Sequence, residues 1–287
     1  MTAGAPRSVT RSGDPFLRDP RLVAKLAPLV RVVNRYFATE VRGWERLPTQ
    51  GPFLVVGNHS GGAETVDLAF FLGRWLAERG AETPLYALAY DLFFNYPIVG
   101  PLFPRLGTLP ASRENARRAF EEKGVVVVFP GGDHEVFRAW SRRNTIDFGG
   151  HVGFVETALE CGVLVVPMTI HGAHQSTFVL TRGRRIARWT GLASWLHVNV
   201  FPIVWNIPFG PVPAFVPSVT LPSKVTVEIG EPLDWRHYGP DAARDPGIVR
   251  QCYDDITTRM QATLDRLATE TPHPILSRLA GFCRHNR

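Results

Sequence analysis

Short apolar runs with the composition of β-strands alternate along the chain with segments of helical spacing, and this alternation narrows its fold more than any other feature. The strand-like runs are Phe53–Val56, Leu85–Ala89, Val125–Phe129, Leu164–Ile170 and Val225–Ile229. Between and after them, Val66–Arg79, Arg113–Lys123, Gly153–Cys161 and Ile248–Ala268 read as helices. Strands alternating with helices predict an α/β fold, a mostly parallel sheet flanked by helices. The chain has 287 residues, enough to bury a sizeable core as a single domain, and no repeat or low-complexity linker divides it. We expect a loose tail over 1–19, an amphipathic helical segment over 20–40, the main domain over 41–270 and a C-terminal tail over 271–287.

In such sheets ligands bind beyond the carboxyl ends of the strands. The first run ends in Gly57-Asn58-His59-Ser60-Gly61-Gly62, with Glu64 and Asp67 downstream. A His takes a proton from a hydroxyl near neutral pH when its other ring nitrogen is held in one tautomer, and a nearby carboxylate does this. The glycines permit a tight turn and close approach of a substrate to the backbone. Asp67 opens the apolar helical run Leu68–Leu76, so it also fits a helix cap favoured by the macrodipole. Further along, Ser112 is a candidate N-cap, and Arg113 at that helix start suits a phosphate or carbonyl oxygen, or a surface ion pair. The run Val125–Phe129 leads into Pro130-Gly131-Gly132-Asp133-His134-Glu135, an apolar strand followed by a cluster of ionisable groups. The run Leu164–Ile170 leads into a polar loop with His171 and His174.

The net charge of +6, with arginines clustered at 113–118, 138–143 and 182–188, suits an anionic partner: nucleic acid, a membrane surface or a phosphorylated substrate. Cys161, Cys252 and Cys283 form no CxxC pair, which argues against a disulfide framework or zinc knuckle and for a reducing, cytosolic setting. We expect no signal peptide and no spanning helix, because no apolar stretch of about 18 residues runs clear of charge and proline. From Leu22 to Phe37, apolar residues at helical spacing oppose Arg21, Lys25, Arg31 and Arg35, and Pro28 should break or kink the helix. Such a helix packs on its own domain or lies on an anionic membrane. Trp189–Pro217 is uncharged but broken by prolines, and reads as buried core or as an interfacial surface.

Together these residues resemble a known family. Gly57-Asn58-His59-Ser60-Gly61-Gly62…Asp67, Leu109-Pro110-Ala111-Ser112-Arg113-Glu114-Asn115-Ala116, Val128-Phe129-Pro130-Gly131-Gly132-Asp133-His134-Glu135 and Val165-Val166-Pro167-Met168 follow the order of the four blocks of the glycerolipid (lysophospholipid) acyltransferase superfamily. The Phe-Pro-Gly-Gly and His-Ser-Gly-Gly forms are similar to its monoacylglycerol/diacylglycerol acyltransferase-like branch. The resemblance covers roughly residues 40–235, including Val41–Pro48 and Gly230-Glu231-Pro232.

The resemblance implies transfer of an acyl chain from acyl-CoA or acyl carrier protein to a glycerolipid or lysophospholipid hydroxyl. The chain would act peripherally at the cytoplasmic face of a membrane. His59 would be the base, with no covalent intermediate and no cofactor beyond acyl-CoA as co-substrate. Asn58, Ser60, Gly61, Gly62, Arg113, Pro130, Gly131, Gly132, His134 and Glu135 would bind substrate, and backbone N–H groups near the glycines would hold the oxyanion. The partners would be the acyl donor, a lipid acceptor and a membrane surface, and not nucleic acid.

This chain departs from the family pattern in places. The family's acid stands five positions after the His, where this chain has Glu64; Asp67, at the helix start, is the favoured orienter, with Glu64 the alternative. The third block has Gly131 and His134 where the family has Glu and Arg, which favours a neutral or larger acceptor over glycerol phosphate; Arg113 keeps a phosphate ligand open.

Two other functions compete. A metal-dependent hydrolase would use His59, Asp133, His134, His171 and His174, although no HExxH-type spacing occurs. A non-catalytic lipid-binding protein would explain the altered third block. A serine hydrolase is disfavoured because no Gly-x-Ser-x-Gly elbow occurs.

Overall fold

The computed structural model describes residues 14–60, 66–97, 99–183, 201–206, 209–214 and 220–285. Asp19 caps α1 (Pro20–Lys25) by accepting from the N–H groups of Arg21 and Leu22. The chain breaks at Leu26 and restarts as α2 (Ala27–Tyr36), with Pro28 in the first turn, where its missing N–H leaves no hydrogen bond unmade. Strand β1 (Glu40–Arg42) and strand β2 (Phe53–Gly57) follow, then α3 (Asp67–Glu78), β3 (Leu85–Ala89), α4 (Leu102–Arg105), β4 (Thr108–Pro110), α5 (Arg113–Glu121) and β5 (Val125–Val128). After these come α6 (Gly132–Val136), α7 (Gly153–Cys161), β6 (Leu164–His171), β7 (Phe178–Thr181), β8 (Ile203–Asn206), β9 (Gly210–Pro213) and β10 (Thr226–Ile229). The chain closes with the long α8 (Pro246–Glu270) and with α9 (Pro274–His285), a helix within the segment expected as a C-terminal tail.

The main sheet has the order β1-β10-β6-β2-β5-β3-β4. Strands β6, β2, β5, β3 and β4 run parallel, the mostly parallel sheet expected for an α/β fold. Strand β10 runs antiparallel to β6, and β1 is parallel to β10. Alternate residues of the central strands enter two cores, as a sheet covered on both faces requires. Leu54, Val56 and Val126 pack with residues of α5, α7 and α8, while Phe53, Val55, Val125 and Val127 pack with Phe70, Phe71 and Trp75 of α3.

The register sets the site. Val56 is level with Val128, and Gly57 with Met168, so the carboxyl ends of β2, β5 and β6 open at one edge.

Strands β7, β8 and β9 form a separate antiparallel sheet beyond that edge. Part of the proline-broken Trp189–Pro217 segment lies here. Val204 and Ala214 are buried with Val179, whereas Trp205 and Phe209 are exposed, so this stretch is neither wholly core nor wholly surface. Its residues 189–200, 207–208 and 215–217 lie outside the described residues. Among the described residues, no helix is long and apolar enough to cross a membrane.

Candidate active site

Strand β2 ends at Gly57, where a Cβ would stand 2.6 Å from the Phe129 ring and 2.8 Å from Met168. Its absence lets Phe129 lie across the strand end and stack on the His59 imidazole, with ring centroids 4.8 Å apart and planes 21° from parallel. The next residue, Asn58, is fully buried. Its Nδ2 donates to the Ile170 carbonyl at 3.0 Å and its Oδ1 accepts the Ile170 N–H at 2.7 Å. Asn58, expected among the substrate-binding residues, is thus a joint between β2 and β6, with both polar atoms of its amide occupied.

His59 Nδ1 lies 2.8 Å from Asp67 Oδ2, and Asp67 Oδ1 accepts the Ser60 N–H at 3.1 Å. Asp67 is buried, and the cap position of α3 is Val66, so the carboxylate serves the His59 turn and not the helix end. Hydrogen bonding to Asp67 fixes the tautomer with the proton on Nδ1 and leaves the Nε2 lone pair for a substrate. The His59 side chain keeps 13% of its surface exposed. Glu64, Gly61 and Gly62 lie outside the described residues.

The turn after β5 carries the second half of the site. Gly131 makes room for Glu135, since a Cβ there would stand 2.6 Å from the Glu135 side chain. Glu135 is fully buried. Its Oε2 accepts the His59 N–H at 2.8 Å, its Oε1 accepts the Asp147 N–H at 3.2 Å, and Oε1 also lies 3.2 Å from Arg138 Nη1. Burial pushes its carboxyl pKa up, opposed by the charges of Arg138 and His59 and by these backbone bonds. Arg138, equally buried, donates from Nη2 to the His59 carbonyl at 2.9 Å and to the Arg143 carbonyl at 3.1 Å. Both backbone polar groups of His59 are therefore held by one buried ion pair. Glu135 was expected to bind substrate; its oxygens face the backbone instead. Of the backbone N–H groups beside the glycines, those of His59 and Ser60 are already engaged, and so are not free for an oxyanion.

The other expected residues divide. Ser60 is buried with no partner for its Oγ among the described residues. Ser112 caps α5 by accepting the Asn115 N–H at 3.1 Å. Arg113, half exposed, is paired with Glu156 and Glu160, the surface alternative among its readings. The Pro130 carbonyl accepts from His151 Nδ1 at 2.9 Å, and Gly132 has φ +47°. His134 is part of a partly exposed polar cluster beside this turn: its Nδ1 lies 3.3 Å from Asp147 Oδ2 and its Nε2 3.3 Å from Arg182 Nη1.

Among the described residues, those of the metal-site reading form no common cluster. His171 and His174 are buried; Gln175 stands 3.3 Å from His171 Nε2, and His174 Nε2 donates to the Arg138 carbonyl at 3.1 Å. Burial holds their pKa values down, to about 4 and about 3, with nearby arginines adding to the effect. Among the described residues no group of His, Cys, Asp and Glu has a metal-binding arrangement, and the side chain of Asp133 lies outside them. Sequence reasoning missed Arg138 and Asp147 as parts of the site, and gave Phe129 no role beyond its place in the third block. Arg138 carried a signal, its place three residues after Glu135 on a helix-like turn.

An uncharacterized protein of Mycobacterium tuberculosis is 31% identical over 263 residues, spanning 89% of this chain and 69% of the relative. A family model described as Acyltransferase matches residues 38–171. The chain belongs to the acyltransferase family. The matched region runs from β1 through β6 and includes His59, Asp67, Glu135 and Arg138. A second relative, the bovine (Bos taurus) "DGAT1/2-independent enzyme synthesizing storage lipids", is 25% identical over 150 residues, covering 52% of this chain and 43% of its own length. Among solved structures, the 1-acyl-sn-glycerophosphate acyltransferase PlsC of Thermotoga maritima is similar in fold. The TM-score is 0.52 at 18% identity, covering 88% of this chain and 85% of that one. This acyltransferase thus shares PlsC's architecture.

Proposed function

We propose that the chain transfers a fatty acyl group from acyl-CoA, or from acyl carrier protein, to the hydroxyl of a glycerolipid or related lipid alcohol at a membrane surface. The observation that carries this reading is the His59–Asp67 pair, 2.8 Å apart, at the carboxyl end of the central strand of an acyltransferase-family sheet. Nε2 of His59 takes the proton of the acceptor hydroxyl as its oxygen attacks the thioester carbonyl. The C–S bond then breaks, and the departing thiolate recovers the proton from Nε2, so no acyl-enzyme forms. Asp67 orients the imidazole and stabilises its protonated form.

The acceptor is best read as neutral. The third block lacks the family's Glu and Arg, and Arg113 is paired with Glu156 and Glu160. The bovine relative's name, a storage-lipid-synthesising enzyme, supports the same acceptor class.

Labelled acyl-CoA with a panel of mono- and diacylglycerols, lysophospholipids and long-chain alcohols tests the proposal. The expected result is an acylated neutral lipid with equimolar free CoA, abolished in His59→Ala. Retained transfer in that variant, or CoA release without any acylated lipid, would refute it.

A further inference from the structure

We infer that Asp147 is the residue that keeps phosphorylated head groups out of the turn beside His59, and so selects a neutral acceptor. The inference rests on the neutral-acceptor reading and assigns it a side chain. Asp147 belongs to the carboxyl edge of the sheet, where ligands of such folds bind. One buried carboxylate links it to the base: Glu135 accepts the His59 N–H on Oε2 at 2.8 Å and the Asp147 N–H on Oε1 at 3.2 Å. Glu135 and Arg138 are fully buried, whereas the side chains of Asp147, His134 and Arg182 keep 32%, 25% and 17% of their surface exposed.

The fold uses only one oxygen of this side chain. Oδ1 accepts the Gly149 N–H at 3.1 Å and closes a turn in which Gly149 has φ +65°. An asparagine supplies the same acceptor. Oδ2 lies 3.3 Å from His134 Nδ1 and 3.7 Å from Arg182 Nη2. Arg182 Nη1 in turn stands 3.3 Å from His134 Nε2. A guanidinium can only donate, so Nε2 accepts and the imidazole is neutral, with its proton on Nδ1. These three side chains therefore hold one cation, Arg182, and one anion, Asp147, which cancel.

Without Asp147 the same group would suit a phosphate: a guanidinium beside an imidazole that can take a second proton. With it, a phosphomonoester carrying nearly two negative charges meets a carboxylate already paired with the cation it needs. Like charges set against one another discriminate against the wrong ligand more than they help the right one. A hydroxyl of a neutral glyceride meets no such repulsion, and the carboxylate can accept its proton in a hydrogen bond.

Two measurements on the full chain test this, one with catalysis and one without. With a single acyl-CoA as donor, so that the donor's own phosphates cancel, the ratio of kcat/KM for monoacylglycerol over lysophosphatidate is compared in the parent, Asp147→Asn and Asp147→Ser. Both variants should shift the ratio toward lysophosphatidate by roughly tenfold or more. Isothermal calorimetry with glycerol 3-phosphate should show binding roughly tenfold tighter in both variants than in the parent. Adding Arg182→Gln to Asp147→Asn should remove both gains. Asp241→Asn, which deletes the same charge from a side chain 97% exposed, should leave both at the parental value. Circular dichroism with thermal melting checks that the variants fold.

A ratio or an affinity unchanged in both Asp147 variants overturns the inference, as does a gain that survives Arg182→Gln or that Asp241→Asn reproduces. A parent that prefers lysophosphatidate overturns it together with the neutral-acceptor reading. A parent that acylates neither lipid refutes the acyl-transfer reading alone, and the glycerol 3-phosphate affinities then decide the inference.

Discussion

Replacing Arg138 by Met separates the stability of the site from its chemistry. The side chain is fully buried, so its removal leaves the Glu135 carboxylate in the interior without its cation. An uncompensated buried charge costs about 3–5 kcal/mol, a large share of the ~5–15 kcal/mol by which a domain is stable. Glu135→Gln alone removes a charge but turns an amide N–H₂ toward a backbone donor, at about 1–3 kcal/mol. The double variant carries no buried charge, so its destabilisation should fall short of the sum of the two singles by at least ~1 kcal/mol. Its turnover should not recover, because neither the N–H nor the carbonyl of His59 is then held as in the parent. Urea denaturation gives the three free energies, and initial rates of acyl transfer give kcat. Additive destabilisation, or parental kcat in the double variant, would refute the role of the pair in holding the His59 backbone.

Asp67→Asn should lower kcat by roughly a hundred- to ten-thousand-fold with little change in KM, whereas Glu64→Gln should leave it near parental; the reverse pattern would make Glu64 the orienter. Gly57→Ala forces a Cβ against Phe129 and Met168, and should destabilise by about 1–3 kcal/mol while lowering kcat as Phe129 leaves the imidazole; melting and rates together check this. His171 and His174 hold fewer protons folded than unfolded between their depressed pKa values, about 4 and about 3, and the usual value of 6.5. Their stabilising contribution is therefore complete above pH 6.5 and falls as the pH drops, by about 2 kcal/mol each at pH 5. Urea titrations at pH 7 and pH 5 should show a loss that His171→Asn with His174→Gln reduces; an equal loss in parent and variant would contradict it.

The strands and helices that bury two faces or one stripe were legible because burial imposes period. Val125–Val128 and Gly153–Cys161 are such cases. Strand direction has no such imprint: Val225–Ile229 reads as a strand, but only its tertiary partner makes β10 antiparallel. The short edge strands β1 and β4 carry too few residues for a pattern. The His59–Asp67 pairing was visible because holding an imidazole in one tautomer demands an acceptor of a particular type nearby in the chain. The main-chain contacts of Asn58 and Glu135 stayed hidden for a related reason. Both side chains reach main-chain atoms of distant residues, Ile170 and His59, and main-chain atoms are the same in every sequence. Glu64 and Asp67 could not be ranked by spacing alone, since the length of the glycine turn decides which carboxylate returns to the ring.

The Asn58 amide acts as one more rung of the β2–β6 ladder, built from a side chain after the strand itself has ended. Its bond to the Ile170 N–H ties the residue before His59 to a strand that is buried over nearly its whole length. Hydrogen exchange at the Ile170 amide should then be governed by opening of the central sheet and not by loop motion. Motions fast enough to admit or release a substrate must originate in neighbouring segments, with His59 as the fixed point about which they move.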